Sequence, residues 1–180
     1  MPFATTHILV AIILVELYRD YFVKNNKKFP RYYILIAAIG AIIPDLDFAL
    51  YYILYFFGFS LEQIHRTFLH TLFIPLILFL IGIFFWKLEI KHKQFAKKHI
   101  TLPTTFFILS AMSLLHLILD FTLAGSVMPL YPFSNYTIEI NLIEFFPLAW
   151  QETILPVLDA VLLLLWIFWM EFKLKINNYF

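Results

Sequence analysis

Between Thr71 and Trp86 the chain carries no charged residue, and a run of that kind points to the hydrocarbon of a bilayer, where roughly 20 mostly apolar residues make a spanning helix. Five stretches approach that length: Ala4 to Phe22, Tyr32 to Phe59, His65 to Trp86, Pro103 to Phe121 and Thr153 to Met170. Composition agrees, with 62% hydrophobic and 14% charged residues against about 45–50% and about 25% in soluble domains. The pattern predicts an all-α integral membrane protein with about five transmembrane helices. Met1 to Thr6 lacks the basic opening and small-residue cleavage site of a signal peptide, so the first run is expected to be retained. Without repeats, low-complexity segments or linkers, residues 1–180 read as a single membrane-embedded domain.

Charge sets the expected topology and narrows the chemistry. Of 13 basic residues, Arg66 alone falls on one set of loops when five spans alternate; Arg19, Lys24, Lys27, Lys28, Arg31, Lys87, Lys91, Lys93, Lys97, Lys98, Lys173 and Lys175 fall on the other. Basic loops stay cytoplasmic, so a multi-pass cell-membrane protein is expected with its N-terminus and polar site external. Leu123 to Glu152, punctuated by Gly125, Pro129, Pro132 and Pro147, reads as an external cap. The alternation from Asn135 to Ile143 predicts a short β segment within it. A formal net charge of +1 gives no bulk attraction to nucleic acid, so the expected partners are membrane lipids. The chain contains no cysteine, which leaves histidines and carboxylates to hold any metal: zinc first, with manganese, iron or magnesium as alternatives.

Four polar intrusions break the apolar background. They are His7, Pro44-Asp45-Leu46-Asp47, the hexapeptide His65-Arg66-Thr67-Phe68-Leu69-His70, and His116 with Asp120. Polar groups at such depth cost several kcal/mol unless they face a protected site. His116 and Asp120 are four apart, hence neighbours on one helical face. Asp45 and Asp47 would diverge on a regular helix, and Pro44 supplies the break that lets them converge. His65 and His70, five apart, cannot share a helical face, which puts His65 in a loop and His70 in a first turn. Five spans place all of these on one face of the membrane. Together they offer up to seven ligands, enough for two metal ions about 3.5–4 Å apart that lower the pKa of water; one ion would leave ligands over.

Each residue also has a plainer reading. His7 could be a satisfied interfacial histidine, the paired aspartates could be helix caps, and Arg66 could neutralise carboxylates rather than clamp a substrate phosphate with its planar fork. His92 and His99 sit among loop lysines and are set aside. Glu139, Glu144, Glu152 and Asp159 are single acids that could act as outer partners.

Thr6-His7, Ile43-Pro44-Asp45-Leu46-Asp47, His65-Arg66-Thr67-Phe68-Leu69-His70-Thr71 and His116-Leu117-Ile118-Leu119-Asp120, in that order, resemble the motifs of the YdjM family of membrane-bound metal-dependent hydrolases. The segment with Thr122, Gly125, Leu130, Tyr131, Pro132 and Phe133 also resembles that family, shifted by about one residue, so the likeness covers nearly the whole chain. It implies metal binding by His7, Asp45, Asp47, His65, His70, His116 and Asp120, and it implies hydrolysis. Ile64, Thr67 and Thr71 depart from the glycines and serine of many relatives, which leaves the ligands but alters the pocket. A more distant similarity to zinc-dependent phospholipase C and related nucleases favours a phosphoester over an amide. The expected function is hydrolysis of a phosphoester in a lipid or lipid-linked substrate, with one or two divalent ions and with Asp45, Asp120 and Arg66 in catalytic roles. A metal-binding transporter or channel component, or a non-catalytic membrane scaffold, are the competing readings.

Overall fold

The computed structural model describes residues 2–23, 29–65, 67–91 and 101–174. Helix α1 (Ala4–Tyr18) is apolar all round, and it turns Thr6, His7, Leu9, Ala11, Ile12, Val15 and Glu16 inward. A π-helical turn, Arg19–Val23, follows. It rotates Arg19 into the protein, where Nε–H donates to the Phe29 carbonyl at 3.0 Å and Nη1 meets Asp20 at 3.2 Å, so the buried charge is paired. Helix α2 (Tyr32–Ile42) stops at Pro44, which has no backbone N–H to continue the ladder. The chain passes through a 3-10 turn, Pro44–Leu46, into α3 (Asp47–Leu54) and a second 3-10 turn, Tyr55–Phe57. The two halves of this pair meet at 53°. Gly58, at φ 86°, ends it in the left-handed region that glycine enters without penalty. Then come α4 (Leu61–Ile64), α5 (Phe73–Lys91), α6 (Leu102–Leu123), a 3-10 turn at Leu142–Phe145 and α7 (Leu148–Leu174).

The helices pack in the order α7, α1, α2, α6, α5. Small residues let α2 lie close against α6: a Cβ on Gly40 would meet Leu109 Cα and Met112 Cβ, each at 3.0 Å. Ala11, Val15, Phe29, Tyr33, Ala37, Ala41 and Ile108 form the core at this junction. The Ser110 hydroxyl donates to the Pro75 carbonyl at 2.7 Å and ties α6 to α5. On the other flank, Trp166 Nε1–H donates to Glu16 at 3.2 Å and the Thr6 hydroxyl donates to Asp159, so α1 and α7 run parallel and in register.

Two expectations are corrected. By length and composition, α6 and α7 can cross a membrane, three spans in all if the bent pair Tyr32–Ile42 with Pro44–Phe57 counts as one; five spans are not found among the described residues. Helix α1 gives way to the π-helical turn before reaching spanning length. Helix α5 starts at Phe73 rather than His65, because the chain from Thr67 to Leu72 is not helical, and Lys87 and Glu89 fall in its last turns. The β segment is also absent among the described residues. Asn135 to Ile143 supplies only an isolated antiparallel bridge, Val127 with Ile138, closed by N–H bonds of 3.0 and 2.9 Å. Its alternating side chains do not alternate between inside and outside, since Tyr136, Ile138, Ile140 and Leu142 are all exposed. The predicted cytoplasmic loop residues Lys93, Lys97 and Lys98, with His92 and His99, lie outside the described residues.

The α2–α6 contact has no room for a branched side chain. Gly40→Val should therefore push the helices apart at the expense of about 1–3 kcal/mol of stability, read as a lower thermal midpoint of the purified protein in detergent.

Candidate metal centre

Four separate segments deliver polar side chains to one end of the bundle. His7 lies one turn into α1. Asp45 and Asp47 emerge from the break that Pro44 makes between α2 and α3. His65 and His70 come from the non-helical stretch before α5, and His116 and Asp120 stand a turn apart on α6. Asp47, Asp120, His70, His116 and His7 are all buried; the side chains of Asp45 and His65 keep 16% and 11% exposure. All seven predicted ligands are thus assembled in one place. Arg66 lies outside the described residues.

The geometry sorts the seven. His70 Nε2 and His116 Nε2 are 3.3 Å apart. Asp45 Oδ1 lies 3.6 Å from the first and 3.4 Å from the second; Asp120 Oδ2 lies 3.4 and 3.3 Å from them. Donors held 2.0–2.2 Å from a tetrahedral ion sit about 3.3–3.6 Å from one another; Asp45 Oδ1 and Asp120 Oδ2 each keep about that spacing from both imidazole nitrogens, forming two triangles that share the His70–His116 edge. His7 Nε2 approaches the other Asp120 oxygen, Oδ1, at 3.4 Å, and its ring stacks on His116 at 3.7 Å between centroids.

Hydrogen bonding gives the same reading. His116 Nδ1 lies 2.6 Å from the Ala41 carbonyl, an acceptor only, so Nδ1 carries a proton and Nε2 is the nitrogen turned toward the carboxylates. Ala41 stands in the last turn of α2, where carbonyls lack helical partners. Both carboxylate oxygens of Asp120 are buried without a hydrogen-bond donor, although three imidazole Nε2 atoms lie 3.3–3.4 Å away. A buried anion so placed needs a cation.

Asp47 faces the other way. Its carboxylate accepts from His65 Nδ1 at 3.0 and 3.1 Å and lies 3.0 Å from His70 Nδ1, out of line for a hydrogen bond there. It can therefore steer both rings from behind. Three carboxylates in so small a volume create a demand for positive charge.

Three overlapping groups could hold a metal ion: His7, His116 and Asp120; Asp45, His70 and His116; and Asp47, His65 and His70. The first two share His116 Nε2 and describe one centre. The third needs His70 Nδ1 and amounts to a second position behind it.

Two supporting groups are not legible from the motifs. One is the Ala41 carbonyl, for which the only trace is the small-residue pair Gly40-Ala41. The other is the peptide Pro129, whose carbonyl accepts from Leu72 N–H at 2.9 Å and anchors the stretch carrying His70 to the segment after α6. Phe68 on Tyr131 and Phe73 on Phe133 reinforce that seam. Glu144, weighed as an outer partner, instead accepts from the Asn141 side chain at the Leu142–Phe145 turn.

Compared with known families, the chain matches the model described as YdjM inner membrane protein over residues 1–176. No curated protein and no solved structure matches it.

Because Asp47 acts through the imidazoles it contacts, Asp47→Asn should leave the fold intact and weaken zinc binding by about 10–100-fold, measured by competition with a fluorescent chelator.

Proposed function

The chain belongs to the YdjM inner membrane protein family, a membrane protein by family and by its apolar helices, and we propose that it is a metal-dependent hydrolase of a phosphoester in a lipid or lipid-linked substrate. The observation that supports the reading is the convergence of Asp45 Oδ1 and Asp120 Oδ2, each 3.3–3.6 Å from both His70 Nε2 and His116 Nε2, with the two Asp120 oxygens buried without a hydrogen-bond donor. Histidine and carboxylate donors without sulfur suit zinc best, with manganese, iron or magnesium as alternatives. One ion would be held by donors drawn from Asp45, His70, His116 and Asp120, and a second would draw on Asp47, His65 and the far nitrogen of His70. An ion held there would act as a Lewis acid on a phosphoryl oxygen and lower the pKa of water toward neutrality.

The protein's own groups have distinct tasks. Asp120 offsets the ion's charge with both oxygens in reach of imidazoles, and Ala41 fixes the His116 tautomer. Asp45, the most exposed of the four inner donors, stands where water and substrate arrive and can take the proton from water. In the reaction the water oxygen bonds to phosphorus, the phosphorus–oxygen bond to the alcohol breaks, and the alcohol leaves with a proton. Arg66, between the site histidines in sequence, suits a phosphate clamp. Transport has less support: between His7 and Glu16 the buried face of α1 is Leu9, Ala11, Ile12 and Val15, so α1 offers no polar step toward the other end.

The site is proposed to be external. Arg19, Arg31, Lys87 and Lys173 belong to helix ends remote from it, and basic ends favour the cytoplasm. The chain has no native cysteine, so single cysteines report cleanly: Asn135→Cys should react with an impermeant thiol reagent in intact cells and Lys93→Cys should not. The reverse pattern inverts the orientation.

Activity provides the second test. Purified protein in detergent should cleave a phosphoester only with a divalent metal, and chelation should abolish this reversibly. Asp120→Asn keeps shape and removes charge, so turnover should fall by roughly 100-fold or more while the protein still folds. Full metal content and an unchanged rate in that variant, across phosphomonoesters and phosphodiesters, would falsify the assignment.

A further inference from the structure

Access to the centre is one-sided. Among its seven side chains only Asp45 and His65 retain more than a trace of exposure, and both lie at the base of α3. The opposite side is closed where the Leu72 and Pro129 backbones are bonded and Phe68 packs on Tyr131. At the open side Leu46 is 52% exposed and Phe48 40%, and the Phe48 ring lies 4.3 Å from that of His65. Phe48, Tyr52 and Phe56 follow at helical spacing, so one apolar stripe runs outward from the mouth.

That stripe is unsuited to water. Residues 48–59 contain no charged side chain, and Tyr52, Ile53, Tyr55, Phe56 and Phe57 are all exposed. Helix α3 packs on α4 and on its own flanking turns, which leaves the outer face bare. A soluble surface rarely carries such a patch, whereas tyrosine and phenylalanine are at home near the membrane interface. Depth points the same way. From Tyr32 to Ile42 the 11 residues of α2 rise about 16 Å at 1.5 Å per residue, near half of the roughly 30 Å hydrocarbon thickness. With Arg31 at one interface, the Pro44 break falls inside the bilayer, and the 53° bend sends α3 obliquely through the remaining leaflet.

We infer that the metal centre opens sideways into the surrounding leaflet between Asp45 and His65, and that the Phe48–Tyr52–Phe56 stripe is the track along which the hydrocarbon of a phosphate-bearing lipid lies while its headgroup reaches the centre. The substrate half of the inference rests on the hydrolase reading; the lipid-facing mouth does not.

Nitroxide labels test the mouth directly. Leu46→Cys, Tyr52→Cys and Phe56→Cys, each labelled in phospholipid vesicles after wild-type metal binding has been verified, should collide more with dissolved oxygen than with a water-soluble nickel chelate. Asn135→Cys should show the opposite ranking. Chelate collisions dominating at Leu46 and Tyr52 overturn the inference, because the mouth then opens to water. For the substrate, kcat/KM for phosphatidic acid in mixed micelles should exceed that for glycerol 3-phosphate at least 100-fold, and equal values overturn the hydrocarbon track. If neither compound nor any other phosphoester is cleaved, the hydrolase reading falls and the collision ranking alone decides the mouth.

Discussion

Three carboxylates and four imidazoles share a small volume at one end of an otherwise apolar bundle, and the rest of the structure answers to the electrostatics of that fact. Charge removed from water is tolerated only when opposite charge or hydrogen-bond donors stand close by. The protein supplies part of the compensation itself: Asp47 collects His65 and His70, and His116 is anchored on a backbone carbonyl. It leaves the two oxygens of Asp120 without donors. The centre is thus under-neutralised in one spot, beside the two imidazole nitrogens that Asp45 Oδ1 and Asp120 Oδ2 each approach to 3.3–3.6 Å.

Holding the charges in place requires two backbone devices. The first is the absent N–H of Pro44, which ends α2 and turns Asp45 and Asp47 out of helical register so that one faces the inner donors and the other backs the imidazoles. The second is the small surface of α2 at Ala37, Gly40 and Ala41, which brings α6 near enough for His116 to reach the Ala41 carbonyl. A larger residue at Gly40 and a donor-bearing residue at Pro44 would disturb the same atoms by different routes. Packing and polar chemistry are therefore not separable at this end of the protein.

The order of ligands along the chain was legible because histidine and aspartate are so rare in apolar runs that each occurrence signals a function or a fault. Pro44 explained how two aspartates two apart could cooperate, and the i, i+4 spacing of His116 and Asp120 survived folding unchanged. What the residues could not disclose was division of labour: Asp45 and Asp47 look equivalent in one dimension, and only the path of the broken helix sets one before the imidazoles and the other behind them. Among the described residues fewer helices than hydropathy predicts are long and apolar enough to cross a membrane. Hydropathy registers apolar residues and not backbone form, so it carried the third run back through Thr67 to Leu72, which is not helical, and could not see that α1 changes to a π-helical turn at Arg19–Val23. The alternation in Asn135 to Ile143 misled because periodicity implies a strand only where a neighbouring strand completes the ladder.

The contacts between α1 and α7 have a consequence for biogenesis. Trp166 meets Glu16 across 150 residues of sequence, and Asp159 meets Thr6 beside His7 across 153. Helix α1 carries a buried carboxylate and a residue of the cluster whose placement is fixed by α7, a helix translated much later. Until α7 is translated, α1 waits at the membrane with Glu16 unmatched, in the state that insertion machinery and quality-control proteases are equipped to recognise. A chain truncated before Leu148 would keep all seven clustered residues, yet lose both contacts that set the height of α1 and, with it, of His7.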